Sequence, residues 1–189
     1  MKLHLACWHR YIPGFVHVDI FDMPHIDHVA SMDKLPFIAD NSVDLIYCCG
    51  GITYFHRWEA DKVMQEWYRV LKPNGVLRLS TPNSVAFLTL YFETGDLRML
   101  DGPIFGHMKL ENSVISQKCH YDENLLSQLF TTNNFYQIEH WDWRSTEHAN
   151  VDDFSQSYWP HMQKDTGVQL CLNMQAKKYV RPTDANTNT

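Results

Sequence analysis

Hydrophobic positions switch between two periods along this chain, and the switches predict its elements. Leu3, Leu5 and Cys7 alternate with polar or small residues, and Phe15 to Ile20 is a short β-branched run, so both read as strands. Trp8 to Gly14 lies between them as a loop closed by Pro13-Gly14. A third strand passes through His28 to Met32. Val43 to Cys49 follows the turn residues Asp40-Asn41-Ser42 and ends at Gly50-Gly51. A run that apolar suits a strand covered on both faces, as in a parallel sheet.

From Trp58 to Leu71 the period becomes helical, with Ala60, Val63, Met64, Trp67 and Leu71 on one face and Glu59/Lys62 and Glu66/Arg69 outside. Lys72-Pro73-Asn74-Gly75 stops that helix, and Val76 to Ser80 is the next strand. Asn83 caps a helix running to about Glu93, with Gly95 as its stop. Residues 96–120 are irregular. Asp122 caps a short helix carrying Leu125, Leu126, Leu129 and Phe130, which Asn133-Asn134 breaks. Phe135 to Trp143 reads as a strand, 144–167 as irregular, and Val168 to Ala176 as a half-exposed strand that could lie at a sheet edge. Arg181 to Thr189 is a polar tail, expected to be disordered.

Alternating strands and helices imply a doubly wound α/β sheet. Ligands of such sheets bind beyond the carboxyl ends of the strands, near the point where strand order reverses. The residues just past those ends are Cys7-Trp8, Asp19-Ile20, Cys49-Gly50-Gly51 and Thr81-Pro82.

Composition narrows the function. The 189 residues suit one domain over 1–180 plus the tail, and 44% hydrophobic residues suffice for a core. A net charge of −6 argues against nucleic acid as a partner. No apolar window approaches the ~20 residues of a membrane span, and no signal peptide is evident. Five cysteines, two of them adjacent, read as reduced thiols in a cytoplasmic protein. His25 and His28 are the closest histidine pair, but no cysteine lies at ligand spacing, so no metal site is expected.

Leu35-Pro36-Phe37, Asn41 to Tyr47, and Trp67 to Leu79 (Trp-Tyr-Arg-Val-Leu-Lys-Pro-Asn-Gly-Val-Leu-Arg-Leu) resemble the class I S-adenosylmethionine-dependent methyltransferases, of the small type 11-like kind. Leu3 to Trp8 and Pro13 to Asp19 resemble the opening of the same family. The resemblance implies a Rossmann-like, mostly parallel seven-stranded sheet with an antiparallel strand near the C-terminus and helices on both faces. It implies S-adenosylmethionine as cofactor and a small-molecule or saccharide acceptor. It places Ala6, Cys7, Trp8, Asp19, Ile20, Cys49, Gly50 and Gly51 against the cofactor, with Asp19 accepting from the ribose hydroxyls.

Several positions depart from the family pattern. Its Gly-Cys-Gly reads Ala6-Cys7-Trp8, the acid preceding Leu-Pro-Phe is replaced by Ser31 with Asp33 out of register, and Ile52-Thr53-Tyr54-Phe55 lacks the usual acid and imidazole. Two readings follow: an active methyltransferase, or a methyltransferase-fold binding or regulatory protein in which Trp8 fills the cofactor pocket. No Gly-x-Gly-x-x-Gly follows the first strand, which disfavours a nicotinamide enzyme. Candidate bases are His107, His120, His148 and His161, from the irregular stretches 96–120 and 144–167, which are expected to cover the cofactor cleft. Trp141, Trp143, Tyr158 and Trp159 are candidates for an acceptor wall, or pack the C-terminal loop on the sheet. Neither the acceptor nor the oligomeric state is legible.

Overall fold

The computed structural model describes residues 1–109 and 114–180; the expected tail lies outside them. Strands β1 (Lys2–Leu5), β2 (Val16–Asp19), β3 (His28–Val29) and β4 (Val43–Cys49) precede helix α1 (Arg57–Val70) and strand β5 (Leu71–Pro82). Helices α2 (Ser84–Thr94) and α3 (Asp101–Phe105) and the two-residue strands β6 (Met108–Lys109) and β7 (Val114–Ile115) follow. Helix α4 (Glu123–Thr132), β8 (Phe135–His140), β9 (Tyr158–Trp159), β10 (Val168–Gln169) and β11 (Cys171–Lys178) complete the described chain.

Seven strands form one sheet in the order β3-β2-β1-β4-β5-β11-β8. β11 runs antiparallel to both its neighbours, and the pairs among β1 to β5 are parallel. Strand order reverses at β1 and β4, so a crevice opens past the carboxyl ends there.

On one face, Val63, Met64 and Trp67 of α1 and Leu126 and Phe130 of α4 share a core with Leu3, Leu5, Ile46, Cys48, Leu77 and Leu79. Burying each large side chain is worth roughly 1.5–3 kcal/mol. α1 also pins the Leu-Pro-Phe segment. Arg69 donates to the carbonyls of Leu35 (2.9 Å) and Ile38 (3.0 Å), and Glu66 accepts from the Leu35 N–H. Two stretches that are separate in the sequence thus form one contact. At β4 the other face is covered by loops. Among the described residues, the connections from β1 to β4 contain no α-helix. Ile12, Phe15 and Trp141, from loops, pack there on Leu45 and Tyr47.

Three expectations are corrected. The Lys72 to Gly75 stop belongs to β5: Val43 pairs with Leu71 and Leu45 with Val76, so these four residues bulge from a strand that begins as α1 ends. Strand β8 stops at His140, and residues 143–145 form a 3₁₀ turn. β11 is an interior strand with most residues buried, so it offers no free edge; Val168 and Gln169 instead pair with Trp159 and Tyr158. The caps stand as expected. Asn83 accepts from the N–H groups of Val85 (3.1 Å) and Ala86 (3.4 Å), Gly95 has φ 66°, and Asp122 accepts from Leu125 (2.8 Å).

Candidate active site

A cavity of about 910 Å³ opens past the carboxyl ends of β1, β2 and β4, bounded on its far side by α3 and the β6–β7 ribbon. The chain turns sharply at the end of β1. Ala6 has φ 53° and Trp8 has φ 49°, the left-handed conformation that glycine adopts freely. Each costs a side chain about 1–2 kcal/mol. At both positions the backbone therefore takes a conformation suited to glycine although neither residue is glycine.

Asp19 holds that turn. Its Oδ2 accepts from the Trp8 N–H at 2.8 Å and its Oδ1 from the Phe21 N–H at 3.0 Å. The carboxylate is 6% exposed and borders the cavity. A carboxylate offers about four acceptor directions, so two remain for a ligand. The Trp8 indole is half-buried and meets Phe21 edge-on at 5.2 Å. It forms part of the wall and leaves the cavity open.

The opposite wall begins at Gly50, whose φ of 76° turns the chain out of β4. A Cβ on Gly51 would stand 2.6 Å from the Cys48 sulfur and 2.8 Å from both the Ala6 Cβ and the Met32 methyl. Real Cβ atoms do not approach so closely, so the two turns pack only because residue 51 is glycine. Ser31 and Met32 border the cavity, and Ser31 donates its hydroxyl to Asp33, which does not. The Ser31 oxygen therefore remains an acceptor toward the cavity side. Trp67 of α1 ties this segment down by donating to the Met32 carbonyl at 2.9 Å.

Of the residues expected against a cofactor, Ala6, Trp8, Asp19, Ile20, Cys49, Gly50 and Gly51 border this cavity. Cys7 does not: it is buried beneath the turn with its sulfur 3.9 Å from the Val18 carbonyl. Burial pushes its thiol up to about 12, so it stays protonated. Pro82 borders the cavity and Thr81 does not.

The candidate bases separate clearly. His107 borders the cavity, with Nδ1 2.7 Å from the Ser116 hydroxyl and its ring stacked on Phe105 at 5.2 Å. His120, His148 and His161 do not border it. His148 is 1% exposed and stacks on Tyr47 at 4.1 Å on the loop-covered face, where burial lowers its pKa. Burial likewise lowers His120. The four aromatic candidates also stand outside the cavity. Trp141 donates to the Leu79 carbonyl at 2.9 Å, and Trp143 to the Tyr158 hydroxyl at 3.2 Å. Trp141 fastens its loop to the sheet, and Trp143 ties two C-terminal segments together. His25 and His28 point to different partners, the Trp8 carbonyl at 2.8 Å and the Phe37 ring at 4.1 Å.

The far wall comes from the 96–120 stretch expected to cover the cleft, but the contacts that fix it leave no mark in the sequence. Tyr54 donates to the Gly106 carbonyl at 2.6 Å, and the Lys118 N–H donates to the Thr53 carbonyl at 2.7 Å. These bonds join α3 and the segment after β7 to the turn following β4. No hydrophobic period announces such a contact.

Residues 14–79 match the family model described as a methyltransferase domain. Solved structures superpose over nearly the whole chain. A Thermotoga maritima S-adenosylmethionine-dependent methyltransferase, described as a possible histamine N-methyltransferase, has a TM-score of 0.59 at 12% identity, covering 94% of this chain and 81% of that one.

The chain has the class I methyltransferase fold.

A Methanosarcina mazei S-adenosylmethionine-dependent methyltransferase superposes with a TM-score of 0.54 at 15% identity, covering 95% and 92% of the two chains. The Burkholderia thailandensis 1,6-didemethyltoxoflavin-N1-methyltransferase, solved with 1,6-didemethyltoxoflavin and S-adenosylhomocysteine, gives 0.54 at 12% identity over 95% and 71%. No curated protein matches this chain significantly. In this methyltransferase fold the β1 turn, Asp19 and Gly50 all face one crevice. Among the described residues, no helix is long and apolar enough to cross a membrane.

Proposed function

We propose that this protein transfers a methyl group from S-adenosylmethionine to a small-molecule acceptor, with both bound in the cavity past β1, β2 and β4. The observation that carries the reading is the left-handed turn at Ala6 and Trp8, held by Asp19 at the wall of an open cavity. A chain with no use for that turn has no reason to bear its conformational cost with alanine and tryptophan in place of glycine.

When bound, the cofactor supplies a methyl carbon already activated by a sulfonium. The protein's part is to orient the partners and exclude water. Asp19 would accept from the ribose hydroxyls with its free lone pairs, while its bonds to Trp8 and Phe21 fix the carboxylate. Ile20 and Ser31 would flank the adenosine, and Ala6, Cys49, Gly50 and Gly51 would leave room for the methionine part. An attacking oxygen or nitrogen must shed a proton, and His107 is the candidate base that borders the cavity. The four C-terminal aromatic residues supply no sugar platform, because they stand outside the cavity. Five free thiols support a cytoplasmic setting.

Calorimetric titration with S-adenosylmethionine and S-adenosylhomocysteine tests the reading. Micromolar binding is expected, and absence of binding up to millimolar concentration would favour a module that has lost the cofactor. Trp8→Gly separates the two further: it should not tighten S-adenosylhomocysteine, whereas a tenfold gain would mean that the indole fills the pocket.

A further inference from the structure

Among the described residues, the charge of the cavity wall is opposite to that of the chain. The protein carries 22 acidic and 16 basic residues. Among the described residues of the cavity wall, Arg10, Lys109 and Lys118 are cationic and Asp19 alone is acidic. Asp19 belongs to the turn beside β1, and the Arg10 Nε–H is given to the Asp152 carbonyl at 2.7 Å. The two lysines belong to the other wall, beside the ends of β6 and β7.

We infer that the acceptor is an anionic small molecule with an apolar body, whose carboxylate or phosphate is held by Lys118 and Lys109. The inference rests on the cofactor reading above and concerns the half of the cavity that reading leaves unassigned.

Two observations carry it. Lys118 stands on a fixed backbone: its N–H and that of Cys119 both go to the Thr53 carbonyl, and the Thr53 hydroxyl goes to the Gly50 carbonyl at 2.6 Å. That chain of bonds sets the lysine's distance from the turn where the methyl group would be presented. The wall between is apolar, with Pro103, Val114, Ile115 and Phe154, which suits a hydrocarbon or ring body. A positive wall beside an apolar cleft selects negative ligands and draws them in.

The test uses the full chain saturated with S-adenosylhomocysteine and three probes: phenylacetate, its neutral methyl ester, and phenyl phosphate. At least one anion should bind ten times or more tighter than the ester, and the stronger of the two names the anionic group. Lys118→Gln and Lys109→Gln should each lower that affinity severalfold, the double variant should abolish the preference, and S-adenosylhomocysteine should bind all three variants within twofold of wild type. Equal or tighter binding of the ester, binding of no probe, or a preference surviving in the double variant would overturn the inference. Failure of the wild type to bind S-adenosylhomocysteine would instead overturn the cofactor reading.

Discussion

The same three strands build two contrasting places, and a step of two residues separates them. His4, His17 and Tyr47 lie in one cross-strand row of β1, β2 and β4. His4 stacks on Tyr47 at 5.3 Å, His148 covers Tyr47, and the tyrosine hydroxyl donates to Asp153 at 2.5 Å. Two residues onward come Ala6, Asp19 and Cys49, which border the cavity. Side chains two apart on a strand share a face, so Asp19 keeps the face of His17 and Cys49 that of Tyr47, whereas Ala6 lies past β1 in the turn. The first row is roofed by Ile12, Phe15 and Trp141, whereas the second lies past the strand ends. Histidine, tyrosine and aspartate gather at the closed row, as His4, His17, Tyr47, His148 and Asp153, whereas the open row has Asp19 alone. Position relative to the carboxyl ends therefore identifies a site better than residue type does.

The largest expected effect breaks the open region alone. Asp19→Ala leaves the Trp8 and Phe21 N–H groups without their acceptor and removes the ribose partner. S-adenosylhomocysteine should bind at least ~100-fold more weakly, with stability down by about 2–3 kcal/mol, read by calorimetry and denaturant melts. Tyr47→Phe breaks the closed region alone. Asp153 loses a buried donor while keeping the Ser155 N–H, so stability should fall by about 1–3 kcal/mol with S-adenosylhomocysteine affinity unchanged. Loss of affinity in that variant would show that the two regions are coupled.

A pH titration sharpens the contrast. Burial lowers the pKa of His4 and of His148, with His17 adding to the effect on His4 and Asp153 opposing it at His148. Burial also lowers His17, against the opposing Asp27. Both folded imidazoles at His4 and His148 thus stay neutral where the unfolded chain begins to take up protons, below about pH 6.5. More protons bind the unfolded state, so stability present at neutral pH is lost as pH falls through that range. Melts at stepped pH should show this slope, and His148→Phe should flatten it relative to wild type. The smallest effect concerns the turn. Ala6→Gly at φ 53° should stabilise the protein by roughly 0.5–1 kcal/mol, the relieved conformational cost exceeding the added chain entropy.

Much of this architecture was legible in the sequence because it follows from local period and capping. The run Val43 to Cys49, the face of α1 and the caps at Asn83 and Asp122 stand where the pattern put them. What period does not encode went astray. Pro73 signals a break, yet β5 absorbs it as a bulge because Leu71 already pairs with Val43. The alternation at 168–176 reads as half-exposed, but the Asn173 amide of β11 donates to the Ser155 carbonyl at 3.0 Å and Gln175 accepts from Arg78 at 3.0 Å, so its polar positions are covered from the sheet face. In the site, the positions past the strand ends were readable from topology alone. That Trp8 would adopt a glycine conformation, or that Lys118 would be tied to Thr53, depends on contacts that no spacing reveals. Eleven histidines suggested bases, and the structure places one of the four candidates, His107, at the cavity.

A crystal structure of the protein with S-adenosylhomocysteine tests the central claim most directly. The account predicts the ribose hydroxyls on Asp19, the homocysteine part beside Gly50, and the Trp8 indole still against Phe21. A ligand bound elsewhere, or an indole turned across an empty cavity, would contradict it.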